Sequence, residues 1–287
     1  MPIEQRTDTH PPLAVIGGGN MASAIIFGAA DAGVLDPARC VIADPDPNVR
    51  TKFQIAVPTA SEALDRLAEF EIDQKSLPGQ ILLAVKPQVF PLIADELLGR
   101  FDGDSSRVVL SVIAGVRSAT IRRRLGQGAR VVRIMPNTPA RIRRGMSAIT
   151  IGDGAQSGDE QFGLALMQAV GEVIGIDESM MDAFTGFAGS GPAYVFYLAE
   201  AMAKAGEAVG FDPAEAQRIA NAVLIGSAGL LESDDRSPAE LRRAVTSPNG
   251  TTQAGTETLD RQRMMDAIIA AVTAARDRGA ELAAAAD

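Results

Sequence analysis

Three glycines in a row, Gly17-Gly18-Gly19, followed by Asn20-Met21-Ala22, stand where the apolar run Leu13–Ile16 stops and a helix-compatible stretch begins. Gly17, Gly19 and Ala22 fit the spacing G-x-G-x-x-G/A. In that pattern the first glycine turns the chain tightly, the second lets backbone approach a diphosphate, and the small third residue lets the helix pack on the strand. A helix opening at this point offers unpaired N–H groups and partial positive charge to phosphate oxygens. The context, after a first strand and before a helix, predicts dinucleotide binding; the alternative is a tight turn that holds nothing. Asp44 closes the second apolar run, Cys40–Ala43. A carboxylate there accepts hydrogen bonds from the adenosine ribose and repels a 2′-phosphate, which favours NADH over NADPH. The alternative is that Asp44 and Pro45 simply start a turn, and Arg50 is close enough in sequence to offset part of the repulsion.

Further stretches carry unusual content. Ala84-Val85-Lys86-Pro87-Gln88 and Met135-Pro136-Asn137-Thr138-Pro139 each follow an apolar run. Both are expected at the carboxyl edge of a sheet, where open α/β sheets bind ligands. Lys86 is read either as a solvated lysine or, beside a proline that fixes the backbone, as a site residue. The second half adds Gly189-Ser190-Gly191-Pro192-Ala193-Tyr194 and Val245-Thr246-Ser247-Pro248-Asn249-Gly250-Thr251-Thr252.

The elements that position these residues come in two textures. Runs at 13–16, 40–43, 81–85, 108–112 and 131–134, with a weaker one at 54–57, are short and rich in Val, Ile and Leu, as suits strands buried on both faces of a parallel sheet. Helix-compatible stretches at 21–32, 61–70, 89–98 and 118–125 alternate with them, which predicts a doubly wound α/β domain. Runs at 146–151 and 173–176 flank a helix over 159–170 and close it. Beyond residue 177 strands disappear, and 194–209, 213–231 and 261–284 read as long helices. Asp212 and Pro213 look like a cap and a first-turn proline. The predicted organisation is a dinucleotide-binding domain over 1–176 and a helical domain over 177–287. These helices have few polar positions, so a second subunit is expected to cover them.

Composition excludes several functions. With 27 basic and 36 acidic residues the net charge is −9, which argues against a nucleic-acid partner. The single cysteine, Cys40, rules out an internal disulfide or a multi-cysteine metal site and reads as a buried thiol among apolar neighbours. The single histidine, His10, excludes a histidine-rich metal site and makes no triad. No apolar run approaches the ~20 residues of a membrane span, and the polar start lacks a secretion signal. A cytoplasmic protein with no membrane partner is expected.

Together the AVKPQ, MPNTPA, GSGPAY and TSPNGTT stretches, in this order, resemble the pyrroline-5-carboxylate reductases. The resemblance runs from the glycine loop to the helix after Thr252. It implies an N-terminal Rossmann domain, a helical domain interlocked with its twin in a homodimer or higher oligomer, and NAD(P)H-dependent reduction of a small cyclic imine bearing one carboxylate. Ser247, Pro248, Asn249, Gly250, Thr251 and Thr252 would then form the substrate loop, whose N–H groups and hydroxyls suit a carboxylate. Thr252 would hydrogen-bond the ring nitrogen and relay a proton, or alternatively cap the next helix. Lys86, Asn137 and Thr138 would line the nicotinamide end, with Ala84 and Pro87 beside them. Two departures stand out. Asn249 replaces a glycine of the family's loop, tolerably because asparagine accepts left-handed backbone angles. Asp44 replaces a small or hydroxyl residue, which sets this chain's chemistry against the family's NADPH habit. The competing readings are a β-hydroxyacid dehydrogenase, whose lysine after the glycine pair is missing here, and a nucleotide-sensing protein without turnover.

Overall fold

The structure, a computed structural model, describes residues 10–72, 77–102 and 106–286. The polar lead-in over residues 1–9 lies outside them. Packing divides the described chain into two compact units. One runs to Gly189 and includes the last stretch from Ala275; the other is Ser190–Ala274.

The first unit is built on one eight-stranded sheet of order β3-β2-β1-β4-β5-β6-β7-β8. Its elements in chain order are β1 (Leu13–Ile16), α1 (Asn20–Asp31), β2 (Cys40–Ala43), α2 (Pro47–Arg50), β3 (Ala56–Val57), α3 (Ala60–Phe70), β4 (Gln80–Leu83), α4 (Phe90–Glu96), β5 (Arg107–Ser111), α5 (Ser118–Leu125), β6 (Ala129–Met135), β7 (Gly145–Ile151), α6 (Gln161–Gln168) and β8 (Gly171–Gly175). The first six strands are parallel, as the uninterrupted apolar runs predict. β7 runs antiparallel to β6, because the link from Met135 to Gly145 is shorter than the dozen or so residues a parallel crossover needs.

Side chains alternate across the sheet. Ala14 and Ile16 join Leu67, Phe90 and Ile121 on one face, while Leu13 and Val15 join Ile25 and Leu166 on the other. Cys40 is buried in the second cluster, and burial pushes its thiol up to about 12, so it is inert at neutral pH.

After β8 the chain makes a 3₁₀ turn (Glu178–Met180), α7 (Met181–Phe184) and a π turn (Thr185–Gly189). Met181 and Phe184 bury against Ala148 of β7. Glu178 fixes this segment: it accepts the Ser118 N–H (2.8 Å) and hydroxyl (2.5 Å) and pairs with the buried Arg133 at 2.9 Å. Burial alone would raise the Glu178 pKa, but the Ser118 and Arg133 bonds outweigh it and hold it below the usual carboxylate value. A carboxyl whose pKa is depressed by folding stabilises the protein above its unfolded pKa and loses that contribution as pH falls through the folded one. Denaturant midpoints are therefore expected to drop on acidification below about pH 4.5, and less steeply in Glu178→Gln. Identical slopes in parent and variant would show that the carboxylate contributes nothing.

The second unit is helical: α8 (Gly191–Ala208), α9 (Pro213–Ser233), α10 (Pro238–Ala244), α11 (Thr251–Arg261) and the first part of α12 (Met264–Ala286). α8 and α9 approach closely, since a methyl group on Gly206 would lie 2.9 Å from the Ala216 Cβ. Large apolar side chains nevertheless face outward, among them Phe196 (68% exposed), Tyr197 (76%) and Ile225 (73%). α10 is absent from the sequence reading although its signal is plain: Ser237 and Glu240 form a capping box and Pro238 opens the helix.

Candidate functional site

The glycine loop follows the carboxyl end of β1 and sits between the carboxyl ends of β2 and β4. Gly17 adopts φ +99°, donates its N–H to the Ala43 carbonyl, and lies so close to β4 that a methyl group on it would sit 2.8 Å from the Ala84 carbonyl oxygen. Only glycine fits there. Gly18 has a separate reason that spacing did not reveal: its Cβ would meet a Val49 methyl at 2.6 Å. Gly19 differs from both, since a Cβ there meets nothing within 4 Å. It caps α1 without a side chain. Among the described residues no acceptor takes the N–H groups of Asn20, Met21 or Ala22, as expected for a first helical turn. Ala22 is fully buried against the sheet. Open space, free N–H groups and the positive end of a helix dipole fit a diphosphate.

Asp44 is held rather than free. Its Oδ2 accepts the Gly18 N–H at 2.8 Å and its Oδ1 the Asp46 N–H at 3.0 Å. Each oxygen keeps a lone pair for a ribose hydroxyl. Arg50 donates from one guanidinium nitrogen to the Asp44 and Pro45 carbonyls at 2.8 and 2.9 Å.

Ala84 donates its N–H to Ile16, which brings the β4 end beside the glycine loop. Lys86 is exposed, and among the described residues its ammonium has no partner. Pro87 leads into α4, with its carbonyl accepting the Phe90 N–H. Asn137 has a structural role of its own. It is buried, its amide donates to the Ala188 carbonyl (3.0 Å) and its oxygen accepts the Met146 N–H (2.9 Å). The side chain clamps the MPNTP stretch to β7 and to the π turn, so its amide serves to hold that stretch in place. Thr138 is exposed at the start of a 3₁₀ turn. The sequence reading also missed the segment after β5, at the same sheet edge. There Ile113 donates its N–H to the buried Ser111 hydroxyl and Gly115 takes φ +69°. The apolar-to-glycine break in Val112-Ile113-Ala114-Gly115 was the available signal.

The remaining site residues lie in the Ser190–Ala274 unit. The Gly250 N–H donates to the Ser247 carbonyl, Pro248 takes the first central position and Asn249 the second, with φ +59°. That combination marks a type II turn, and Asn249 does there what glycine would do. A Cβ on Gly250 would come within 2.3 Å of the Ser247 Oγ, so a larger residue there would have to turn that hydroxyl aside. Gly250, not Thr252, is the N-cap of α11. The capping role foreseen for Thr252 is therefore wrong: a residue one turn-step inside the helix has its N–H, not its side chain, at the end. Thr251 and Thr252 are exposed, and among the described residues the Thr252 hydroxyl and the N–H groups of Thr251, Thr252 and Gln253 bond to nothing.

Comparison with known proteins separates the readings. Residues 178–282 match the family model for pyrroline-5-carboxylate reductase dimerisation, and residues 12–115 the model for NADP oxidoreductase, coenzyme F420-dependent. Over 274 residues the chain is 35% identical to a pyrroline-5-carboxylate reductase of Synechocystis sp., covering 94% of this chain and 97% of that protein. The chain belongs to the pyrroline-5-carboxylate reductase family. A solved pyrroline-5-carboxylate reductase from Coxiella burnetii superposes with TM-score 0.77 at 28% identity, over 96% of this chain and 99% of its own. The Plasmodium falciparum pyrroline carboxylate reductase, solved with NADP bound, shares the fold with TM-score 0.80 at 21% identity, over 96% and 99%. Membership over nearly the whole length rules out the β-hydroxyacid dehydrogenase reading. In the reductase family's terms the fold expectation holds: a Rossmann-type sheet followed by a helical dimerisation region.

Proposed function

We infer that this protein is an NAD(P)H-dependent oxidoreductase acting on a C=N bond, reducing pyrroline-5-carboxylate to proline, the last step of proline biosynthesis. The observation that carries the reading is the cradle at Gly17–Ala22, where glycine is required at the turn and open space is kept at Gly19. When bound, the nicotinamide cofactor supplies the hydride. The chain's part is to orient and to move a proton. The first N–H groups of α1 hold the diphosphate, Asp44 the adenosine ribose, and Ala84, Lys86, Pro87 and Thr138 border the nicotinamide end. The 247–250 turn and the first N–H groups of α11 receive the imine's carboxylate. Thr252 hydrogen-bonds the ring nitrogen and relays its proton. A substrate held by oriented dipoles and one hydroxyl needs no histidine, which agrees with a chain whose sole histidine is His10. Oxidation of NADPH or NADH by the purified protein on addition of pyrroline-5-carboxylate, and not without it, tests this; no turnover with either cofactor would refute it.

The outward apolar side chains of α8 and α9 support a homodimer or larger homo-oligomer, and the match over residues 178–282 supports a domain boundary near 176 even though packing breaks at 189. Among the described residues no helix is long and apolar enough to cross a membrane. The acidic composition argues against nucleic-acid partners, and a cytoplasmic location belongs to the same reading.

Cofactor choice follows from Asp44. A 2′-phosphate beside its carboxylate would meet like charge at ~4 Å, about 4 kcal/mol per unit pair at an effective dielectric near 20, before screening. Because both oxygens are bonded to backbone, the carboxylate stays in place. kcat/KM is expected to be higher with NADH than with NADPH, both being accepted. Asp44→Ser should move the ratio toward NADPH by about tenfold. Initial rates with each cofactor check this; an NADPH-preferring parent with no shift on substitution would show that Asp44 does not meet the ribose.

A further inference from the structure

The link from β6 to β7 begins with Pro136, which has no N–H to continue the antiparallel ladder. The register pairs Met135 with Ala148, and carrying it on sets residue 137 opposite Met146. At that rung a side chain stands in for the backbone, the Met146 N–H donating to the Asn137 Oδ1 at 2.9 Å. Asn137 is also the N-cap of the 3₁₀ turn Thr138–Ile142, a position where asparagine commonly accepts a backbone N–H of its own turn. Among the described residues it makes no such bond. Its oxygen goes to Met146 and its amide to the Ala188 carbonyl, at 3.0 Å. A buried polar side chain drawn off its local cap thus ties together the 136–144 loop, β7 and the π turn.

Packing holds the same three segments. Ala188 lies with Met135 and Met146 against Ala148, Met181 and Phe184. A methyl group on Gly189 would sit 2.9 Å from the Met135 Cε, so the π turn runs close over the end of β6. On the far side of the loop Ala140 is buried and donates its N–H to the Asn137 carbonyl. Among residues 136–140 only Thr138 is exposed, at the carboxyl edge of the sheet. It is carried by a loop whose one polar side-chain anchor on either side of it is Asn137.

We propose that Asn137 is a positioning residue for hydride transfer, its two side-chain bonds fixing where Thr138 stands beside the nicotinamide. This rests on the reductase reading, in which Thr138 borders the nicotinamide end. Alignment and affinity then come from different places. The diphosphate and the ribose are held after β1 and β2, by Gly17–Ala22 and Asp44, so a loosened 136–144 loop leaves the cofactor bound. Hydride transfer depends on geometry, and a misplacement of ~1 Å can cost about 10²-fold in rate.

Asn137→Asp tests it on the full chain, well below the variant's melting temperature. Ionised at about pH 8, the carboxylate keeps an acceptor for Met146 and loses the donor for Ala188. kcat is expected to fall about tenfold or more, while the NADH dissociation constant, titrated by fluorescence without substrate, stays within about threefold. Hydrogen exchange over residues 185–189, read by mass spectrometry, is expected to quicken as the turn loses its anchor. A kcat within about twofold of the parent overturns the proposal, as does unchanged exchange. A dissociation constant raised as much as kcat falls also overturns it, because Asn137 then holds the cofactor rather than aligning it. If Asn137→Asp does not fold by circular dichroism, Asn137→Ala, which buries no charge, decides by the same readouts. Failure of both to fold overturns the proposal and leaves Asn137 a residue of the fold alone. A parent that binds NADH and turns over nothing refutes the reductase reading and this proposal with it, whereas an active parent with unaffected variants refutes this proposal alone.

Discussion

Thr252→Ala is expected to lower kcat by about 10²-fold or more, the contribution typical of one positioned proton donor, while leaving stability within about 0.5 kcal/mol of the parent. The separation of the two effects comes from the geometry at the start of α11. Gly250 occupies the cap position, and the Thr252 side chain is exposed with its hydroxyl bonded to nothing among the described residues. A hydroxyl that supports no fold contact can be lost without unfolding, so a fall in rate reports on chemistry. Thr252→Ser keeps the oxygen and should recover most of the rate. Steady-state kinetics with pyrroline-5-carboxylate, paired with thermal melts, decide the matter. A variant within about twofold of the parent would leave Thr252 without a role in the reaction.

The glycine loop yields a second contrast with a large expected effect. In Gly17→Ala the new methyl must sit 2.8 Å from a backbone oxygen, that of Ala84, in a residue with φ +99°. Neither can relax without moving the β4 end. Strain of this kind costs about 1–3 kcal/mol, so both melting temperature and cofactor affinity should fall. Gly19→Ala is the discriminating partner. Its methyl meets no protein atom within 4 Å, so the fold should tolerate it with little change in melting temperature. The added carbon nevertheless occupies the space through which a diphosphate approaches the α1 N–H groups. The cofactor KM is expected to rise at least tenfold, or about 1.4 kcal/mol. An unchanged KM in Gly19→Ala would place the diphosphate elsewhere.

Local chemistry made much of this protein legible from its residues alone. Short Val, Ile and Leu runs can be satisfied only by strands with both faces covered, so they marked the sheet to within a residue or two. Gly17 and Ala22 were legible because each answers a steric demand within the protein, a Cβ on Gly17 meeting the Ala84 carbonyl and Ala22 being fully buried, whereas Gly19 was legible from its spacing alone. Asn249 was read correctly as a stand-in for glycine, and its φ of +59° bears that out. Motifs in fixed order identified the family, which the full-length relatives show.

What needed the tertiary structure was the partner each polar group finds. The Asn137 amide bonds to Met146 and Ala188, the latter far along the chain, and no spacing in the sequence announces either partner. Arg50 bonds one nitrogen to the Asp44 and Pro45 carbonyls, which fixes it beside Asp44 in a way its sequence position did not show. Gly18 carried no motif value, but Val49 from α2 presses against it. A residue type fixes which bonds a side chain can make, through its donors, acceptors and shape. Which of them it does make depends on groups brought close by distant segments, and that proximity is set by the register and layering of the folded chain.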